Sequence, residues 1–124
     1  MLGDHQQALI TCQQALTLYR HVGDDLDGLA ETWTSVGYAH HHLGHHTQAI
    51  TCYHHALGLY RDCGNRHGEA NTLNHLGDTH HATGNPSAAH EAWKHALTIL
   101  DQFAHPDADQ IRAKLHRPTN QPPG

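Results

Sequence analysis

The sequence is short of several things, and each shortage excludes something. Only 7 of its 124 residues are Lys or Arg, against 12 Asp or Glu, and the formal charge is −5 with histidines neutral. No basic stripe or run is present, which argues against nucleic-acid contact. No apolar run approaches the roughly 18 residues of a membrane span. No basic stretch leads into an apolar core at the N-terminus, so no signal peptide is read and a cytoplasmic location is expected. Cysteine is limited to Cys12, Cys52 and Cys63. An odd number without Cys-x-x-Cys spacing is not a disulfide framework. Cys12 and Cys52 sit among apolar residues and read as small buried hydrophobes; Cys63 reads as a turn residue. Serine occurs only as Ser35 and Ser87, neither in a G-x-S-x-G setting. No nucleophile is marked, and the chain is not read as an enzyme.

What is present is repetition. Gly3, Gly44 and Gly84 lie 41 and 40 residues apart. Ala8, Ala49 and Ala89 keep those intervals, as do Ala15, Ala56 and Ala96. QALITCQQALTLYR (7–20) returns as QAITCYHHALGLYR (48–61) and again as AAHEAWKHALTIL (88–100). A period of this length with small residues at fixed places predicts stacked helical pairs. Such stacks present elongated binding surfaces rather than buried catalytic clefts.

Helical periodicity places six helices along a single domain. They are expected over 5–20, 29–42, 47–61, 68–82, 85–103 and 106–116, with glycine breaks at Gly23, Gly44, Gly64-Asn65 and Gly84. Asn85 followed by Pro86 is a strong helix start. Pro106, with Asp107 and Asp109, opens the short last helix. The segment 117–124 holds three of the five prolines and no apolar pattern, and is read as a disordered tail.

These residues resemble the tetratricopeptide repeat. Its signature is W-x2-L-G-x2-Y, then A-x3-F, then a further small residue. Here it reads Trp33, Val36, Gly37, His40, Ala49, Tyr53, Ala56, and a second time Leu73, Leu76, Gly77, His80, Ala89, Trp93, Ala96. The resemblance implies an all-α superhelix, a solenoid of helix-turn-helix units over 1–116. It divides into a half repeat (2–22), two full repeats (28–63 and 68–103) and a capping helix (106–116). His40 and His80 stand where the family usually has tyrosine, and the long period is similar to repeats of kinesin light chains. GEANTLNHLGDTHHATGNPSAA (68–89) and HPDADQIRAKL (105–115) are similar to the C-terminal repeats of actinobacterial NB-ARC/SARP-type transcriptional regulators. That likeness implies the sensor end of a larger signalling protein. No glycine-rich loop ending in Gly-Lys-Ser or Gly-Lys-Thr is present to supply its ATPase.

The resemblance also implies a function, protein–protein interaction without a cofactor. In the family the first helix of each pair lines a concave groove. Carried onto this sequence, the positions that would meet a peptide or partner protein are Glu31, Thr34, Tyr38, His41, His42, Asn71, Asn74, Asp78 and His81. An asparagine amide both donates and accepts, which suits a peptide backbone. Few Lys or Arg fall there, so an acidic tail is a poor ligand. Met1 falls near the middle of a unit, leaving helix 5–20 without the partner that should precede it. A bare flank including Leu9 and Leu16 is expected, suited to self-association or to a longer chain.

The 17 histidines are unusually many. Metal binding, pH sensing and plain surface use all remain open. Imidazole is a common ligand, but no helix interior holds a pair at the i, i+4 spacing. His41/His45 and His42/His46 straddle the turn at Gly44, and Cys52/His55 is a lone pair, so no dedicated metal site is read. Protonating half of the histidines would move the charge from −5 to about +3 or +4. The plainest reading puts most of them on solvated helix faces.

Overall fold

The computed structural model describes residues 6–7, 9–10, 14, 26–103 and 105–116. Among the described residues five helices of defined bounds follow in order: α1 (Leu26–His42), α2 (His46–Cys63), α3 (Arg66–Ala82), α4 (Pro86–Gln102) and α5 (Asp107–His116). Helices α1 and α2 pack as one pair and α3 and α4 as the next; α2 packs on α3 and α4 on α5. Most of the half repeat 2–22, including Ala8, Cys12, Ala15 and Leu16, and the tail 117–124 lie outside the described residues. Among the described residues no helix is long and apolar enough to cross a membrane.

The first three of the four interhelical turns are copies of one another. Gly44, Gly64 and Gly84 take φ of 82°, 74° and 78°, the left-handed region that ends a helix without a Cβ clash. After each, the next backbone N–H reaches back five residues: His45 to the His40 carbonyl, Asn65 to Tyr60 and Asn85 to His80. That bond satisfies a carbonyl the helix end leaves open. Asn65 and Asn85 then cap the following helices, their side chains accepting from the N–H of Gly68 at 2.8 Å and of Ala88 at 3.3 Å. Here the expected boundaries need correction. Asn65 does not close a helix; it opens α3, which therefore starts at Arg66 rather than Gly68. Helix α1 begins at Leu26, with Asp27 in its first turn where an acid is favourable. Cys63 is the last residue of α2 and is exposed, not part of the turn.

Within each pair an aromatic ring lies on a glycine. A Cβ on Gly37 would stand 2.6 Å from Cε1 of Tyr53, and one on Gly77 would run into the Trp93 ring. Gly68 meets the Tyr60 ring in the same way where α3 packs on α2. Trp93 fixes its own orientation by donating Nε1–H to the Asn74 carbonyl at 3.3 Å. Ala49, Ala56, Ala89 and Ala96 are wholly buried around these contacts, with Leu73 and Leu76 beside them. Trp33 is only half-buried and stacks on His55 with ring centroids 4.4 Å apart. Leu9, expected on a bare flank, is instead buried against Val36, Ala39 and Cys52, whereas Ile10 is exposed. Leu9 thus faces α1 and α2.

Polar contacts set the register of α1 against α3. Asn65 Nδ2 donates to Asp27 Oδ1, the hydroxyls of Thr34 and Thr72 bond at 3.0 Å, and His41 Nδ1 meets Thr79 Oγ1 at 2.8 Å. Each pair is 38 residues apart in sequence, so the two helices run parallel. The contacts recur every seven residues, close to two helical turns. Glu69 ties α3 to α2 instead. Its side chain is 3% exposed and is held by Arg61 at 2.9 Å and Arg66 at 3.1 Å. A buried carboxylate demands such partners.

Two glycines separate packing from propensity. Gly77→Ala gains helix propensity worth ~1 kcal/mol but must displace Trp93, at a cost of about 1–3 kcal/mol. Gly58 faces open space within α2, so Gly58→Ala should stabilise by about 0.5–1 kcal/mol. Urea melts are expected to show a loss for Gly77→Ala and a gain for Gly58→Ala. Equal effects would mean that the Trp93 contact is slack.

Candidate functional site

Helices α1, α3 and α5 share one side of the stack, and the expected groove residues distribute over it unequally. A recess of about 300 Å3 opens between α1 and α3, lined by Tyr38, His41, His42, Tyr53, His75 and Asp78. Tyr38 is the exposed wall at 44%, set edge-on to His42 at 4.3 Å and to His75 at 5.5 Å between ring centroids. The buried Tyr53 ring forms the floor and lies nearly parallel to His75 at 6.0 Å. The residue that belongs to the packing of the pair thus also reaches the groove.

Thr34 is not available to a ligand. It is buried, and its hydroxyl is used by the Ala30 carbonyl at 3.1 Å and by Thr72. Asn71 is exposed and, with Asn74, borders a separate cleft of only about 10 Å3 toward Asp107 and Ile111. His81 is exposed, with its ring 5.8 Å from that of Trp93. Glu31 is exposed on α1. The structure therefore gathers Tyr38, His41, His42 and Asp78 in one recess, puts Asn74 beside it, and leaves Thr34 in the core.

Two residues of the face were not anticipated. Lys114 on α5 places Nζ 2.7 Å from Asn74 Oδ1 and 2.9 Å from Asp78 Oδ1, and 5.7 Å from the centroid of the Trp93 ring. A cation thus occupies the asparagine and the carboxylate that were expected to meet a partner. The signal for it was in the repeat: 34, 74 and 114 are successive positions at intervals of 40. His75 was missed as well, for it falls between Asn74 and Asp78 with no motif to mark it.

The histidines are less solvated than expected. Among the described residues none is fully buried, but His40, His41, His46, His75, His80, His90 and His105 are only partly exposed. Across the Gly44 turn the rings meet at i, i+5 rather than i, i+4. His40 and His45 bring Nδ1 atoms to 3.1 Å, and the rings of His41 and His46 lie 5.3 Å apart. Burial lowers the pKa of His40, and His45 adds to the shift; burial does the same for His80, helped by His54. Burial also lowers His41, with His42 and His46 adding and Asp78 opposing. For His75 burial dominates again; Asp78 opposes it, while Lys114, His41 and His42 lower it further. In the recess, His41 and His75 accordingly favour the neutral ring, beside a carboxylate that Lys114 compensates. Burial pushes the Cys52 thiol up to about 11, so it is no nucleophile at neutral pH.

The direction of these shifts sets an acid response. The folded pKa of His75 lies below the ~6.5 of an unfolded imidazole, so the unfolded chain binds more protons in that interval. Stability tied to the neutral ring is present above about pH 6.5 and is lost as pH falls through the folded value. The melting temperature should fall between about pH 7.5 and about pH 5.5, and fall less steeply in His75→Gln. A variant with the wild-type slope would show that His75 does not carry the response.

The repeat geometry agrees with a comparison of the whole sequence with known families. The profile described as tetratricopeptide repeat matches residues 1–62 and, in an overlapping second register, residues 28–102. No curated protein matches the sequence. Such repeats generally mediate protein–protein interaction and are non-catalytic scaffolds. The paired helices, the ring-on-glycine contacts and the two profile matches make this chain a member of the tetratricopeptide repeat family.

Proposed function

We propose that the chain takes an extended segment of a partner protein along the face of α1, α3 and α5. The recess between Tyr38 and Asp78 seats one side chain of that segment. The observation that carries this reading is the recess itself, about 300 Å3, walled by an exposed aromatic ring and floored by a buried one. Concave sites with mostly apolar walls and a few polar groups are where small chemical groups bind. Asn71 and Asn74 beside it offer amides that can both donate to and accept from a peptide backbone. His41, His42 and His81 extend the polar rim. A partner must compete with Lys114 for Asn74 and Asp78, which favours ligands that bring their own cation or amide.

We further infer that the chain works in the cytoplasm as the sensor end of a larger signalling or transcriptional regulator of the actinobacterial NB-ARC/SARP type. The similarity of 68–89 and 105–115 to the repeats of such regulators supports this. No cofactor and no nucleic-acid contact enter the reading, in keeping with the scarcity of Lys and Arg. Self-association through 5–20 is a weaker reading with Leu9 buried, although Ile10 is exposed.

The test is selection of peptides from a random displayed library, followed by titration of the winners into the full chain. Ring resonances of Tyr38 and His75 should shift on binding. Tyr38→Ala/Asp78→Asn should weaken affinity at least about tenfold, or ~1.4 kcal/mol, without changing the melting temperature. Peptides that bind wild type and variant alike would place the working surface elsewhere.

A further inference from the structure

The start of α3 and the junction of α4 with α5 bring together three metal-ligating side chains outside the Tyr38–Asp78 recess, at the small cleft that Asn71 and Asn74 also border. His67 lies in the first turn of α3, His105 in the connection, and Asp107 opens α5. One ligand atom from each lies within 4.8 Å of the other two, and among the described residues this is the one such trio of His, Cys, Asp or Glu. The imidazole rings of His67 and His105 have centroids 4.8 Å apart. His105 Nδ1 stands 3.7 Å from a carboxylate oxygen of Asp107 and accepts the Asp107 backbone N–H at 3.1 Å. The three arrive from two segments of the chain that only the stacking of repeats makes neighbours.

Two imidazoles and a carboxylate form a donor set for borderline divalent cations, zinc foremost. Zinc bonds of about 2.0–2.1 Å put tetrahedral ligand atoms roughly 3.3 Å apart. The trio must therefore close by roughly 1.5 Å at most, within the reach of a side-chain rotation. His67 and Asp107 are exposed and free to make it; His105 is partly buried and is the fixed member. A cation at His105 Nδ1 displaces the Asp107 N–H, which water can take up at an exposed helix start. The first-turn N–H groups of α3 and α5 oppose a cation, so the Asp107 carboxylate is the indispensable ligand. The ring pairs across the Gly44 turn, His40 with His45 and His41 with His46, belong to no such trio among the described residues.

We propose that His67, His105 and Asp107 form a binding site for a zinc-class divalent cation, with its remaining position open to water or to a partner's side chain. Bound there, the ion staples the α4–α5 connection to α3. It thereby fixes the helix that carries Lys114 into the groove.

The test uses the full chain freed of metal by chelation and dialysis, with Zn2+ alone as the probe. Ring resonances of the histidines are followed by NMR, and the melting temperature is measured alongside. The expected result is that His67 and His105 respond first and saturate near one equivalent, with a rise in melting temperature. His67→Ala/Asp107→Asn should lose at least about tenfold in affinity and abolish that rise. His54→Ala/His95→Ala, which removes two exposed histidines elsewhere, should keep both. The proposal is overturned if the metal spreads over the histidines without preference for this pair, or if the first variant binds as tightly as wild type. Both variants change exposed or partly exposed positions, and circular dichroism confirms that the helices are retained before either is scored.

Discussion

The rings of Tyr53 and Trp93 lying on Gly37 and Gly77 set the distance on which the rest of the structure depends. With no Cβ in the way, the two helices of a pair close until an aromatic face covers backbone. The wholly buried alanines at 49, 56, 89 and 96 are then the only size that fits alongside. The left-handed glycines at 44 and 64 end the two helices of a pair, and the helix lengths fix where the next pair begins. The 38-residue step from Asp27 to Asn65, from Thr34 to Thr72 and from His41 to Thr79 follows from those lengths.

Contacts of this kind are legible in a single sequence because they tolerate few residue types. The glycines at 37 and 77 and the alanines at 49 and 89 announce the helical pairs, and Asn85-Pro86 announces a helix start. Where one residue type serves two purposes, sequence reading fails. A Gly-Asn pair suits either end of a helix, and only the bond from Asn65 to the Gly68 N–H shows which. A threonine suits water or the core equally, since its hydroxyl can fall back on the carbonyl four residues earlier, as Thr34 does with Ala30. Lys114 is absent from the groove expected from sequence. Its partners lie 36 and 40 residues away, at a distance only the period connects.

The histidines follow the same logic. Their number drew attention from sequence, but their chemistry depends on what each ring touches. Those at the Gly44 turn press against one another, and His75 is walled in by Tyr38 and Tyr53. At His40, His41 and His75 this packing favours the neutral ring, because burial and neighbouring imidazoles penalise the charged form. Neutral rings at His41 and His75 can donate and accept at once. They therefore suit uncharged polar groups of a peptide better than they suit an acidic tail.

Helix α5 has two faces with different energies, and the difference bears on how the groove can open. Ala108 and Ile111 are almost fully buried against the preceding repeat. Burying a side chain the size of Ile111 is worth about 1.5–3 kcal/mol. On the other face, Lys114 and Asp78 remain 30% and 40% exposed, and a pair in that setting contributes about 0–1 kcal/mol. A partner that takes over Asp78 and Asn74 therefore meets the weaker of the two attachments. It has to turn one lysine side chain aside, while the cap that closes the core stays in place. Occupancy of the groove and integrity of the last repeat are thus separable, although the same ten-residue helix serves both.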